Sequence, residues 1–567
     1  MDIQTILKRA IGQACESMGL SVTDIVLEHP GDLTHGDYST NIALASAKQL
    51  GRNPRVVAED IKEILEKSLP AGVEKIEIAG PGFINFYLNR EFFTQSIFDI
   101  GKAGTSWGKN DHFAGKKVMI EYTQPNPFKP FHIGHLMSNA IGESLSRIIE
   151  TSGATLVRAN YQGDVGLHVA KALYGLLQKG KPANDLSVGA QAQYVGELYS
   201  WAAGLYESDE SVKKEIDAIN KKVYDRSDTA INELYDWGRE ITLAAFEILY
   251  KTLGTKFDYY FFESEMAKIG EKIVRENIGK VFEESDGAIV FHAEKYDPKL
   301  HTRVFITSQG LPAYETKEVG LTITKFEKEN PDLSIITTAI EQGEYMKVVQ
   351  KAVSLMHPDY ESRMKHVTHG MMRLASGKMS SRKGNVVTGE SLISDSMDMV
   401  LEKVKDREFT EEQKATVART VGVAALKYSI LRSSLGSDII YDFEKSISFE
   451  GDSGPYLQYT AVRANSILAK AEKVTAHDAV PEYVTEIERI LYRFPEVVSY
   501  SLDELEPHHI AVYLTELASA FNSFYAGTRI LDEENEHREY QIAIVTAFYT
   551  TMKNGLQLLG IETPEKM

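Results

Sequence analysis

The segment His132-Ile133-Gly134-His135 constrains this chain more than any other because of where it falls. A strand-like run, Val118 to Tyr122, precedes it, and a helical pattern, Ile133 to Thr151, begins inside it. Glycine admits a close backbone approach, a helix N-terminus offers unpaired N–H groups and the positive end of a dipole, and imidazoles three residues apart share one face. Together they make a phosphate-binding corner. With 15 His and 41 Gly in 567 residues, H-x-G-H arises by chance about 0.03 times at this composition, so coincidence does not explain it. A metal site needs a third ligand beside the two histidines, and none stands nearby in the sequence.

After that helix a strand pattern returns at Thr155 to Asn160, completing a βαβ unit of an open parallel sheet. Residues 166 to about 257 are mostly helical and interrupt the sheet. Strand signals at Ala288 to His292, Arg303 to Ile306 and Leu333 to Thr337 are expected to resume it. Before the sheet, helical segments (Ile3 to Met18, Pro54 to Leu69) alternate with strands (Lys75 to Ala79, Phe83 to Leu88) joined by the turn Gly80-Pro81-Gly82. Beyond about residue 390 every pattern is helical: Val417 to Leu431, Tyr456 to Val474, Ile510 to Tyr525 and Gln541 to Leu559. The fold class is therefore multidomain α/β. It comprises an N-terminal α+β module (1–112), a Rossmann-like parallel-sheet catalytic domain (113–390, helical insertion about 166–257) and a C-terminal all-α helix bundle with its connecting segment (391–567).

Composition narrows the setting. A chain of 567 residues is too long for one core. Cys15 is its single cysteine, which leaves no disulfide within the chain and no Cys-based zinc cluster, and a cytoplasmic location is expected. No run approaches the length of a membrane span, and Met1-Asp2-Ile3-Gln4 lacks the features of a signal peptide. The net charge of −19 argues against coating nucleic acid by bulk attraction. Charge is nevertheless segregated: Met371 to Lys383 carries Arg373, Lys378, Arg382 and Lys383 with no acid. Within it, Lys378-Met379-Ser380-Ser381-Arg382-Lys383-Gly384-Asn385 suits a mobile clamp on a polyphosphate, whose transition-state charge is stabilised by positioned cations.

A sheet with His132 to His135 in its first half and Lys378 to Ser380 after its second resembles a class I aminoacyl-tRNA synthetase. The surroundings resemble the arginyl member. They are Glu121 to Pro130 before the histidines, Tyr314 to Glu318 and Gln342 inside the sheet, Gly36 to Asn41 and Gly80 to Leu88 near the start, Gly454 to Tyr459 in the helical tail, and the terminal Pro564-Glu565-Lys566-Met567. The likeness spans essentially the whole chain. It implies that ATP, with Mg2+ carried on it and no structural metal in the protein, activates L-arginine as an arginyl-adenylate. The arginyl group then passes to the terminal ribose of tRNA(Arg), with AMP and pyrophosphate released. In this family adenylate formation usually needs bound tRNA. The resemblance also implies that the N-terminal module contacts the tRNA elbow and the bundle reads the anticodon. A monomer without membrane attachment is expected.

A guanidinium offers five donors in a planar fork and never loses its charge, so its pocket needs carboxylates and amide or phenol oxygens with no cation close by. Glu121, Asn126, Tyr314, Glu318 and Gln342 fit, each at or just past a strand end. Most of the family has aspartate at Glu318; the extra methylene keeps the charge and moves it by roughly 1.5 Å. The class pattern also has lysine where Ser381 stands, and Lys129, just before the histidines, is placed to supply that cation from the other side of the ATP. The catalytic set is then His132, His135, Lys129, Lys378, Ser380 and Arg382, with Gly134 and Met379 completing the ATP contacts. Asp164 and His168 follow the second strand and are candidates to line the site. In the tail Tyr456, Gln458, Tyr459 and Arg463 combine aromatics, an amide and a cation suited to stacking on unpaired bases, with Gln458, Arg463 and Tyr459 assigned to tRNA. The helical insertion looks too short for an editing domain, which a guanidinium-reading site does not need. The rivals are a synthetase-like RNA-binding protein with impaired catalysis, a lysyl enzyme of the same class, and a small-molecule nucleotidyltransferase.

Overall fold

Val118, Met119 and Ile120 are consecutive and fully buried, the pattern of a parallel strand with helices on both faces. The structure, a computed structural model, describes residues 3–375, 387–471 and 479–567. Five strands form the central sheet: β1 (Lys117–Glu121), β2 (Thr155–Gln162), β3 (Tyr259–Phe262), β4 (Leu333–Ala339) and β5 (Met364–His369). Their order is β5-β4-β1-β2-β3, all parallel. Strand order reverses between β1 and β4, and it is outside the carboxyl ends at such a switch point that open α/β sheets hold ligands.

Helix α1 (Ile133–Thr151) connects β1 to β2 over the span its periodicity predicts. The insertion before β3 is four helices, Leu167–Lys179, Val188–Ser208, Glu210–Asp225 and Thr229–Leu253. Side chains of Ser187, Asp209 and Asp228 cap the last three. The four share a core that includes Val169, Leu173, Val195, Ile216 and Tyr235. After β3 come α2 (Glu263–Glu276), α3 (Tyr314–Glu329), α4 (Gly343–Met356) and, beyond β5, α5 (Gly389–Val404). A Cβ on Gly270 would lie 1.9 Å from the Thr316 carbonyl oxygen and one on Gly320 2.3 Å from that of Met266. Helices α2 and α3 therefore cross backbone against backbone, and only glycine fits at the crossing.

Two expectations are corrected. The strands at Ala288–Phe291 and Arg303–Ile306 do not rejoin the parallel sheet; with Glu283–Ser285 they form a separate antiparallel one. Between Ser285 and Ala288, Asp286 and Gly287 take φ of 49° and 79°, the two-residue turn that folds a strand back on its neighbour. Periodicity gives a strand but not its partner. Nor is the tail wholly helical, since Ile439–Tyr441 pairs in parallel with Met372–Leu374.

The chain gathers into two units: Gly108–Arg463 with Pro495–Thr515 and Met552–Met567, and Met1–Trp107 with Ala464–Phe494 and Glu516–Thr551. In the first, side chains hold the final segment through its backbone. Ser144 Oγ donates to the Leu558 carbonyl at 2.9 Å and Arg147 to that of Gln557 at 3.1 Å, both from α1. Lys427 Nζ donates to Leu253 O and Gly560 O, each at 2.6 Å, and burial lowers its pKa to about 7. In the second unit Tyr38–Thr40, Phe83–Leu88 and Val73–Ala79 make an antiparallel sheet with Phe83–Leu88 central. Its core includes Ile11, Phe86, Phe93 and Tyr492. Buried Asp37 accepts from Leu88 N at 2.8 Å and pairs with Arg489. Among the described residues no helix is long and apolar enough to cross a membrane.

Candidate active site

Between β1 and α1 the backbone is strained. Thr123, Gln124 and Phe128 have φ of 78°, 51° and 67°, a left-handed region costly to side chains and tolerated where surrounding contacts enforce it. Those contacts come largely from α1: Thr123 N donates to Ser138 Oγ at 3.0 Å and Asn139 Nδ2 to Thr123 Oγ1 at 2.9 Å. The loop delivers His132 as the N-cap residue of α1. Its backbone N–H donates to His135 Nδ1 at 3.2 Å, and the two rings stack 3.4 Å apart. Burial, with Lys129 adding to it, lowers His132 to about 4; burial, His132 and Lys129 hold His135 well below its ordinary value. Both imidazoles are therefore neutral near pH 7. Since His135 Nδ1 accepts, its proton sits on Nε2, a donor without a charge. A Cβ on Gly134 would press on the His132 ring at 3.1 Å, so glycine keeps that ring in place.

Lys129 Nζ lies 5.4 Å from the centre of the Tyr199 ring, and burial and Lys171 lower its pKa. His168 Nε2 donates to Gly163 O at 2.8 Å; burial and Lys129 push it down to about 3, so it too is a neutral ring. Asp164 does not line the site. It is fully buried, and its oxygens accept from Ser264 N and Oγ, Arg239 Nε and Tyr235 OH at 2.8–3.2 Å. Its work is to fasten the insertion and α2 to the end of β2.

Charge at the sheet end departs from the expectation that no cation stands near the acceptors. Glu121 Oε2 accepts from Lys325 Nζ at 2.7 Å, with both side chains at most 1% exposed. Gln124 Nε2 holds its other oxygen at 2.8 Å. Across the Gly270–Gly320 crossing, Lys317 Nζ pairs with Glu263 Oε2 at 2.9 Å. Glu318, 9% exposed, makes no hydrogen bond or ion pair among the described residues. Burial first, then Glu121, raises it to about 8. Three carboxylates and two lysines thus leave one acid uncompensated, and that acid is Glu318. Tyr161 and Tyr345 stand in the same field, their phenols held far above the ordinary value by burial and these carboxylates. Lys317, Lys325, Glu263, Tyr161 and Tyr345 escape a reading of the sequence. The signal was there for Lys325: it lies seven residues after Glu318, on the same face of α3.

Asn126 Oδ1 accepts from Gly163 N at 3.1 Å, joining the β1 and β2 loops. Tyr314 begins α3 with 69% exposure, its ring 5.0 Å from Lys317 Nζ. Gln342 is exposed just before α4. Lys378, Met379, Ser380 and Arg382 lie outside the described residues. Downstream of them Gly389 N donates to Phe131 O at 2.7 Å, and Glu390, raised to about 7 by burial, accepts from Phe131 N at 3.3 Å. In the tail, Gln458 is fully buried and donates to Thr420 O and Glu562 O, so it is not presented to RNA. Tyr459 is 37% exposed with the Arg463 guanidinium 4.9 Å from its ring centre.

With the geometry in place, the likenesses are informative. A family model for the catalytic domain of class I (R) tRNA synthetases matches residues 104–443, one for the DALR anticodon binding domain 457–567, and one for the arginyl tRNA synthetase N terminal domain 1–88. An arginine–tRNA ligase of Clostridium kluyveri is 30% identical, covering 97% of each chain. One of Streptococcus pyogenes is 30% identical over the whole of both. The solved arginyl-tRNA synthetase of Thermus thermophilus superposes with a TM-score of 0.84 at 25% identity, covering both chains completely.

Proposed function

We propose, from the premise that the chain belongs to the class I arginyl-tRNA synthetases, that ATP and arginine meet at the carboxyl end of β1 and β4, with Glu318 supplying the charge that selects arginine. The enzyme is an arginine–tRNA ligase. An arginine carboxylate oxygen attacks the α-phosphorus of ATP, the bond to pyrophosphate breaks, and arginyl-adenylate forms. A hydroxyl of the terminal tRNA ribose then attacks the arginyl carbonyl and gives up its proton as AMP leaves.

One observation carries the assignment of the pocket. A nine-tenths buried carboxylate with no partner, beside two others already paired with lysines, is a site short of one positive charge. A guanidinium supplies that charge and more donors than an ammonium. Asn126, Tyr314 and Gln342 would complete the arginine contacts, with Glu121 behind them. His132, Gly134 and His135 would receive the ATP phosphates through neutral N–H donors and the positive end of α1. Lys129 would add the cation, and Lys378, Met379, Ser380 and Arg382 would close over the triphosphate. Magnesium would come with the ATP; among the described residues no three His, Cys, Asp or Glu side chains gather to hold it. Tyr459 and Arg463, but not Gln458, are assigned to tRNA(Arg) in a cytoplasmic monomer with domains bounded near residues 112 and 390.

Arginine-dependent ATP–pyrophosphate exchange with tRNA present tests the pocket. Glu318→Gln should raise the arginine KM at least about tenfold and leave the ATP KM alone. An unchanged arginine KM removes Glu318 from the site.

A further inference from the structure

Tyr161 stands next to last in β2, 8% exposed, its ring packed among Met119, Phe261, Met266 and Leu321. Its hydroxyl is buried and has no hydrogen-bond partner among the described residues. Buried hydroxyls are nearly always paired, so an orphan calls for a ligand or a reason. The charged groups that act on it are Glu263, Glu318 and Glu121. Of these Glu263 and Glu121 are taken by lysines, and Glu318 is not. A neutral phenol oxygen among carboxylates is an acceptor waiting for a cationic donor.

We propose that the Tyr161 hydroxyl is a specificity-determining contact for the substrate, accepting an N–H from the same guanidinium that Glu318 neutralises. The inference rests on the reading of Glu318 given above and deepens it. A guanidinium presents five donors in a plane, and one carboxylate takes two of them in the side-by-side geometry. A second acceptor on a ring fixed by core packing suits the remaining fork. Lysine, whose compact ammonium lacks the planar fork of donors, would leave the hydroxyl unpaired, which is how such a site rejects an analogue that lacks the matching donor.

Tyr161→Phe deletes one oxygen and nothing else. The expected result is an unchanged or higher Tm, because nothing in the free enzyme loses a partner. The arginine KM in exchange should rise about tenfold, with kcat and the ATP KM unchanged. The inhibition constant of 5-guanidinovalerate, which keeps the guanidinium and lacks the α-amino group, should rise by the same factor. An unchanged arginine KM overturns the proposal. So does a lowered Tm, which would mean that the hydroxyl has an internal partner, or a KM effect that the inhibitor does not share, which would move the contact to the α-amino group. Glu318→Gln run in parallel separates the two claims. If it raises the KM and Tyr161→Phe does not, Tyr161 alone is wrong; if it leaves the KM unchanged, the pocket itself falls.

Discussion

The backbone N–H of Gly389 donates to the carbonyl oxygen of Phe131 at 2.7 Å. Phe131 returns the contact, its own N–H reaching Glu390 Oε1 at 3.3 Å. The residue before the first histidine and the start of α5 are therefore one reciprocal clamp. Through it the chain that follows the basic segment is fastened to the turn that would receive the phosphates.

The clamp has no room for a methyl group. A Cβ on Gly389 would stand 2.7 Å from the Phe131 ring and 3.1 Å from the His132 carbonyl oxygen. Gly389→Ala should fold with a loss of about 1–3 kcal/mol and lower exchange turnover roughly tenfold at a similar arginine KM, because a small misplacement of reacting groups is costly. Turnover within a factor of two of the parent would show that the clamp does not position the histidines.

Glu318 links arginine binding to pH. Its carboxyl is raised from 4.5 to about 8 by burial and by Glu121, so the folded chain keeps a proton that the unfolded chain releases. Its contribution to stability is complete below pH 4.5 and is lost as pH rises through 8. Arginine binding expels that proton. The arginine KM should fall about tenfold per pH unit toward pH 8 and level off above it. In Glu318→Gln both slopes should flatten, read by denaturant unfolding and exchange across the range; a slope that survives assigns the proton to another group.

The histidines set the opposite limit. His132 is lowered to about 4 by burial and Lys129, against an unfolded value of 6.5. The unfolded chain binds the proton first, so this stability is present above 6.5 and lost as pH falls toward 4. Exchange turnover at saturating substrates should show no limb near pH 6.5 from these rings. Such a limb, if it disappeared in His135→Gln, would mean that a charged imidazole does the work.

Lys129→Ala should lower turnover at least about tenfold while the arginine KM stays within a factor of two. Lys129→Arg should keep part of the rate, since a cation near the phosphates is what the step requires. Turnover close to the parent in the alanine variant would give the role to the Lys378 segment alone.

Where an element declares itself through spacing, the sequence was enough: Ile133–Thr151, Phe83–Leu88 and Arg303–Ile306 stand where periodicity puts them. What spacing does not carry is partnership. The strand at Ala288–Phe291 is a continuous apolar run, which suits a parallel sheet, yet it pairs in the separate antiparallel one. Strands β3 and β5 went unread; both sit at a sheet edge, and β5, Met364–His369, interleaves Lys365, His366 and His369 with its apolar residues. The site divides the same way. His132, His135 and Glu318 were legible as chemistry, whereas Lys317 and Lys325 went unread, since nothing local to a helix marks a lysine that tertiary packing will bury. Gln458 failed in reverse, its amide turned inward to two backbone carbonyls.

The bonds from Ser144 and Arg147 to the carbonyls of Leu558 and Gln557 span 414 and 410 positions of chain. During synthesis the helix that begins with the histidines emerges long before its fasteners exist. The bonds that fasten that helix to the far end of the chain therefore form only after residues 557 and 558 have been made, so their closure is a late event in the maturation of the catalytic unit.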